Sequence, residues 1–300
     1  MMIISSSLKG NYSQYPYDTN LISLTILAVY RHCPHSLKLS SLNTPQHTAT
    51  PTHNSYTMPD IVFDIVGTCI SYEKVIEGIQ TRLGDKFKEA AIDTRLFFFF
   101  WLAGCERDYS YLSQCGKYQP FGDIFHYTFY RSLFFAGIKK PREFATEEDL
   151  EYIYGEWFKL EGRPELKEMF QLLRDYGFTI WCLTDASHDR VSGYFKNSGV
   201  EMPAENLISC DSIGAGKPEA AVYKYIAKKI PSSGNDAFFA AAHMWDSIAA
   251  KQGGFITAWS NVHELEPCSE VFGKPDIIAE GLVDMAKKII AKHKELTGSN

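Results

Sequence analysis

From Gly162 onward the apolar positions alternate between two periods. Leu166, Met169, Phe170 and Leu173 recur at helical spacing after Pro164 and stop at Gly177, the pattern of an amphipathic helix opened by proline and closed by glycine. Phe178 to Leu183 is then a continuous apolar run, as for a parallel strand buried on both faces. The alternation repeats. A helix is predicted over 187–196 with Val191, Tyr194 and Phe195 inward, and a short strand at Leu207-Ile208. Pro218 opens a helix carrying Val222, Tyr225 and Ile226 on one face. A strand over 237–242, a helix over 246–252 stopped by Gly253-Gly254, and a strand over 255–259 follow. Leu282, Met285, Ala286 and Ile289 mark a terminal amphipathic helix, and a further apolar run, Ile61-Val62-Phe63, precedes the whole series. Such repeated units predict an α/β fold with a parallel sheet between layers of helices.

Residues 73–161 break the rhythm. They show no strand pattern and hold half of the chain's 20 Phe, 17 Tyr and 5 Trp. Phe97 to Trp101 and Phe125 to Phe135 are apolar nearly all round, which is core composition for a helical bundle. The segment therefore reads as a helical cap inserted into a core made of 58–72 and 162–300. Residues 1–57 differ again. They are rich in Ser, Thr, Tyr, His, Asn and Pro, with Asp18 their only acidic residue, and are expected to be a disordered or non-native extension ahead of Met58. A targeting leader is the other reading of that stretch, and its apolar run Leu21 to Tyr30 is too short to span a bilayer.

A net charge of −6 and a pI near 5.9 argue against a nucleic-acid footprint or an anionic membrane surface, leaving a small-molecule substrate as the expected partner. The seven cysteines are odd in number and form no Cys-x-x-Cys pair, as expected of thiols in a reducing, cytoplasmic compartment.

Four segments carry candidate chemistry. Asp64 ends an apolar run and is followed by Ile65-Val66-Gly67-Thr68, placing a carboxylate at the C-terminal edge of a sheet, where open α/β proteins bind ligands. Thr184-Asp185 ends the next predicted strand. Lys217 lies in Gly216-Lys217-Pro218 with Tyr223 six residues on, and Ala242-His243-Met244-Trp245-Asp246 follows a later strand. Two carboxylates in one partly dry pocket need a fixed cation, because like charges otherwise raise each other's pKa. Each residue also has a plain structural use. Thr68, Thr184 and Asp246 sit where turns or helices are capped, Tyr223 fits a helix face in the core, and a strand-end His243 commonly serves as a hydrogen-bonding group.

In this order the four segments resemble the motifs of the haloacid dehalogenase (HAD) superfamily, over about residues 58–290, and the later ones resemble its (S)-2-haloacid dehalogenase branch. The resemblance implies a Rossmann-like core with a helical cap over Asp64. It implies Asp64 as the nucleophile of a covalent ester, Thr68 as its hydrogen-bonding neighbour and Lys217 as the neutralising cation. Asp246 would position the hydrolytic water or hold Lys217, with His243 beside it as a further catalytic candidate. Thr184, Asp185, Tyr223, Tyr109 and Val66 would face the substrate.

Three departures from that pattern matter. Val66 stands where HAD phosphatases carry a general acid, and Asp246 has no second carboxylate nearby for magnesium, so a metal-independent reaction with no cofactor is expected. Asp185 replaces the usual asparagine. Counting back six residues from Tyr109, in the run Asp108-Tyr109-Ser110-Tyr111-Leu112, reaches Ala103, where the dehalogenases place a halide-gripping arginine. The expected function is thus a dehalogenase-like hydrolase acting on a larger, more apolar organic acid or metabolite. The alternatives are a non-hydrolytic enzyme using His243 and Asp185 as acid and base, a HAD phosphatase, and a non-catalytic binding protein. Pairing of cap helices into a homodimer is a further expectation.

Overall fold

Asp60–Asp64 forms the first strand, β1, and every one of its residues is buried. Its alternate side chains serve two cores: Ile61 and Phe63 face one layer of helices, and Val62 the other. The computed structural model describes residues 58–232 and 236–298; the extension expected over 1–57 lies outside the described residues. The remaining strands are β2 (Thr179–Thr184), β3 (Leu207–Ser209), β4 (Phe238–Ala241), β5 (Ile256–Ser260) and β6 (Ile277–Ala279). They form one six-stranded sheet in the order β3-β2-β1-β4-β5-β6. All neighbouring pairs are parallel. The chain runs outward from β1 in both directions, so the C-terminal ends of β1 and β4 flank the point where the order reverses. Ligands bind at such a point in open α/β sheets.

The helices are α1 (Glu73–Glu89), α2 (Thr94–Gln114), α3 (Phe121–Phe135), α4 (Pro141–Phe144), α5 (Glu147–Glu156), α6 (Leu166–Tyr176), α7 (His188–Asn197), α8 (Ala220–Lys229), α9 (Met244–Gln252), α10 (Ser269–Phe272) and α11 (Gly281–Thr297). Helices α1 to α5 follow one another with no strand between them among the described residues. Asp93 caps α2 by accepting from Leu96 N–H, and Thr146 with Asp149 forms a capping box on α5. Trp101, stacked 3.8 Å from Phe125 and tilted against Phe129 at 5.0 Å, ties α2 to α3.

Three readings of the pattern need correction. β6 is an addition to the predicted elements; its apolar run, Ile277-Ile278-Ala279, is only three residues long and leaves Ile278 exposed, too short to stand out as a strand. The aromatic segment ending at Phe135 is not core all round, because Tyr127, Phe134 and Phe135 are exposed on α3. Asp246 is not the cap of its helix: His243 occupies that position and Asp246 lies in the first turn of α9, fully buried.

Candidate active site

The turn after β1 is built around Gly67 and Thr68. Gly67 has φ 95°, and a Cβ there would meet His243 Cε1 at 2.6 Å, so both conformation and space call for glycine. The Thr68 hydroxyl donates to Asp64 Oδ2 (2.6 Å) and accepts from Ala242 N–H (2.8 Å), which locks the end of β1 to the end of β4. The Arg163 guanidinium donates to the carbonyls of Gly67 and Thr68 and holds the turn from outside.

Lys217 completes a buried row. Its Nζ lies 2.7 Å from Asp64 Oδ1 and 2.8 Å from Asp246 Oδ2. Tyr223 donates its hydroxyl to Asp246 Oδ1 at 2.5 Å. Burial opposes the Lys217 charge, but Asp246, Asp64 and Asp185 outweigh it and keep the ammonium protonated. Burial alone would raise the Asp64 carboxyl; the Lys217 charge and the adjacent His243 hold it well below the usual carboxylate range instead. Asp246 keeps the raised value that burial gives it, since Asp64 adds to the burial effect while Lys217 opposes it. The two carboxylates sharing one lysine are thus unequal, with Asp64 the more firmly ionised.

Above this row lies a cavity of about 260 Å³, lined by Asp64, Lys217, Val66, Thr184, Asp185, His243 and Tyr109 among others. Seven of the ten residues expected at the site thus line it, and two more, Asp246 and Thr68, hold residues that do. Tyr223 is corrected. Expected at the substrate, it lies behind the row, because its ring packs on Phe239 in the core and its hydroxyl is given to Asp246. Thr184 Oγ1 accepts from Ala186 N–H, which caps the strand end. Asp185 Oδ1 accepts from the Tyr109 hydroxyl (2.8 Å) and from Lys217 N–H (3.1 Å), so its carboxylate is paired rather than open. Burial still pushes its pKa upward.

The helical insertion reaches this loop closely. A Cβ at Gly216 would fall 2.3 Å from the Tyr109 ring, so glycine is what allows α2 to rest on the Lys217 loop. Ser113 accepts from Gly216 N–H and donates to Glu219.

Two groups escaped the sequence reading. Glu106, on α2, lines the cavity with its side chain 31% exposed, and burial pushes its carboxyl up to about 7. His243 sits between two acids, Nδ1 3.5 Å from Asp64 Oδ2 and Nε2 3.9 Å from Glu106 Oε1, and neither nitrogen has a hydrogen-bond partner. Burial disfavours its charge, but Asp64 and Glu106 prevail and raise it to about 9, so it is an imidazolium at neutral pH. Arg190, on α7, also lines the cavity and is buried. A lone charge on an amphipathic helix reads as a solvated face, so only the tertiary packing reveals either residue. Ala103 and Arg107 line the cavity as well, Arg107 with its guanidinium paired to Asp108, while Arg95 pairs with Glu73 on the surface. Among the described residues the one trio spaced to hold a metal, His126, Glu147 and Glu151, lies on the surface and outside the cavity lining.

Residues 61–254 match the haloacid dehalogenase-like hydrolase family. The chain belongs to that family. This haloacid dehalogenase-like hydrolase is 31% identical over 106 residues to haloacetate dehalogenase H-2 of Moraxella sp. (strain B), a match covering 35% of this chain and 47% of that one. It is 22% identical over 134 residues to an (S)-2-haloacid dehalogenase of Pseudomonas fluorescens, covering 45% of this chain and 59% of that enzyme. The chain spans about half the length of the curated relatives it matches. Among solved structures, the L-2-haloacid dehalogenase from Xanthobacter autotrophicus superposes with a TM-score of 0.63 at 15% identity, over 78% of this chain and 98% of that one. At that identity the likeness is one of fold. No helix among the described residues is long and apolar enough to cross a membrane.

Proposed function

We propose that this hydrolase displaces a leaving group from carbon through an ester on Asp64. The observation that carries the reading is the buried row Asp64–Lys217–Asp246, which keeps one carboxylate ionised, oriented and facing a cavity. An Asp64 oxygen attacks the substituted carbon, a C–O bond forms, and the leaving group departs with the bonding electrons. Water then adds to Cγ of the Asp64 ester as a proton passes to Asp246, and the Cγ–O bond to the substrate breaks, the departing oxygen taking that proton back from Asp246. The bond broken is thus not the C–O bond first formed: Asp64 keeps the oxygen of water, and the product alcohol carries the former Asp64 oxygen. The names of the curated relatives, both dehalogenases, support halide as the leaving group.

In this reading residues 73–161 act as the cap of a core made of 58–72 and 162–300, closing the ester from bulk water. Val66, Thr184, Asp185 and Tyr109 form the substrate's surroundings. Leu102, Phe121, Trp157 and Trp245 give the cavity apolar walls, which suit a larger organic acid than a two- or three-carbon haloacid. Single turnover in H₂¹⁸O with a series of 2-chloroalkanoates is the test. Label should enter Asp64 and chloride should be released, with longer chains preferred. Label appearing directly in the product of the first turnover would refute the ester. Asp64→Asn should lower turnover by at least ~10³-fold.

A second reading is favoured by His243 alone. An imidazolium between Asp64 and Glu106 with no hydrogen bond at either nitrogen is placed to give a proton to a substrate whose C–H proton passes to the Asp185 carboxylate, without hydrolysis. Its signature would be exchange of a substrate C–H with solvent deuterium in the absence of any released leaving group.

A further inference from the structure

Arg190 differs from every other described arginine. Arg82, Arg95, Arg107, Arg131 and Arg142 donate to carboxylates, and Arg163 and Arg174 to backbone carbonyls. Arg190 is 7% exposed, its Nε has no hydrogen-bond partner, and it enters no ion pair among the described residues. Its guanidinium lies 5.1 Å from the centre of the Trp157 ring, and Nη1 reaches to 3.5 Å of where a Cβ on Gly122 of α3 would stand. The third residue of α7 is also an unfavourable place for a cation, since the N-terminal end of a helix carries partial positive charge. Stacking on an indole offsets only part of the cost of burying a charge. A buried, uncompensated guanidinium facing a cavity is therefore a site prepared for an anion.

The buried lysine is not available for that anion. Lys217 Nζ already contacts two carboxylates, and its backbone N–H is given to Asp185. We propose that Arg190 is the anion-recognition residue of this cavity and receives the substrate's carboxylate, at a place separate from Lys217 and Thr184. A planar fork of donors stacked on a ring matches the two oxygens of a carboxylate better than a single spherical ion. The inference rests on the reading of this cavity as the substrate's, and it makes the substrate an organic acid whose carboxylate lies at Arg190.

Calorimetric titration of the full chain with acetate, butanoate, hexanoate and octanoate, with the matching primary amides, and with sodium chloride tests this without any turnover. At least one carboxylate should bind about tenfold more tightly than its amide, a margin set by charge-assisted hydrogen bonds. Arg190→Gln should abolish that preference while leaving amide binding unchanged, and Arg190→Lys, which keeps the charge but not the fork, should retain only part of it. The proposal is overturned if the native protein prefers no carboxylate over its amide, or if the preference survives intact in a folded Arg190→Gln protein. If the glutamine variant does not fold, an unchanged preference in Arg190→Lys overturns it. Displacement of the carboxylate by chloride at equal concentration would assign Arg190 to halide and likewise overturn it. Failure of the ester mechanism shows instead as absent ¹⁸O in Asp64, and leaves these binding results as they are.

Discussion

The floor of the cavity and the groups around its walls obey opposite rules. On the floor, Asp64, Lys217, Asp246, Thr68 and Tyr223 satisfy one another through short hydrogen bonds and ion pairs. Around it, His243 and Arg190 are equally buried yet hold nitrogens with no partner, and Glu106 is kept near neutrality by burial. A network complete before substrate arrives can orient a reacting group at no further cost, whereas unpaired groups are held in readiness for a ligand.

Lys217→Met should break the first region most severely. It leaves two buried carboxylates without their cation, and loss of one partner of a buried pair typically costs ~3–5 kcal/mol. Urea denaturation measures this, and a change below about 1 kcal/mol would mean the floor is not preassembled. Tyr223→Phe is the milder cut. It removes one hydrogen bond to a buried carboxylate and should cost about 1–3 kcal/mol in the same assay.

The second region should respond to pH rather than to denaturant. Glu106 is raised from 4.5 to about 7, so the folded state binds its proton more tightly than the unfolded chain does. The stability it contributes is full below pH 4.5 and is lost as pH rises toward 7. Glu106→Gln should flatten that decline. The same variant should remove a limb near pH 7 from kcat/KM, which in the native protein falls roughly fivefold as a carboxylate forms beside an acidic substrate, about 1 kcal/mol of repulsion. An unaltered profile would place Glu106 outside the reaction. The smallest effect is expected of chelators. With Val66 and a lone Asp246 in the motif positions, excess EDTA should leave turnover within error, and magnesium-dependent phosphate release would contradict this.

The difference between the two regions also explains what the sequence revealed. The α/β class and the floor residues were legible because each depends on a local pattern: an apolar run ending at Asp64, a strand ending at Thr184, Gly216-Lys217-Pro218 before a helix, and Trp245-Asp246 after a strand. Arg190 and Glu106 were not, since nothing beside them in the chain predicts that α7 and α2 will turn them inward. Counting back to Ala103 did reach a cavity-lining position, because spacing along a single helix survives folding. Tyr223 was misplaced for the opposite reason: its spacing from Lys217 fixes a helical face, and that face looks onto Asp246 and Phe239 rather than the cavity.

The tryptophans divide along the same boundary. Trp157 and Trp245 line the cavity, while Trp101, Trp181 and Trp259 are packed elsewhere, with the Trp181 indole N–H bonded to Asp60 and that of Trp259 to the Ala242 carbonyl. Two of the five indoles are therefore optical sensors of cavity occupancy, and the other three a constant background. Because the Trp157 ring lies beside the Arg190 guanidinium, neutralising that cation shifts the electric field across the indole, and its emission colour becomes a direct readout of charge at the site.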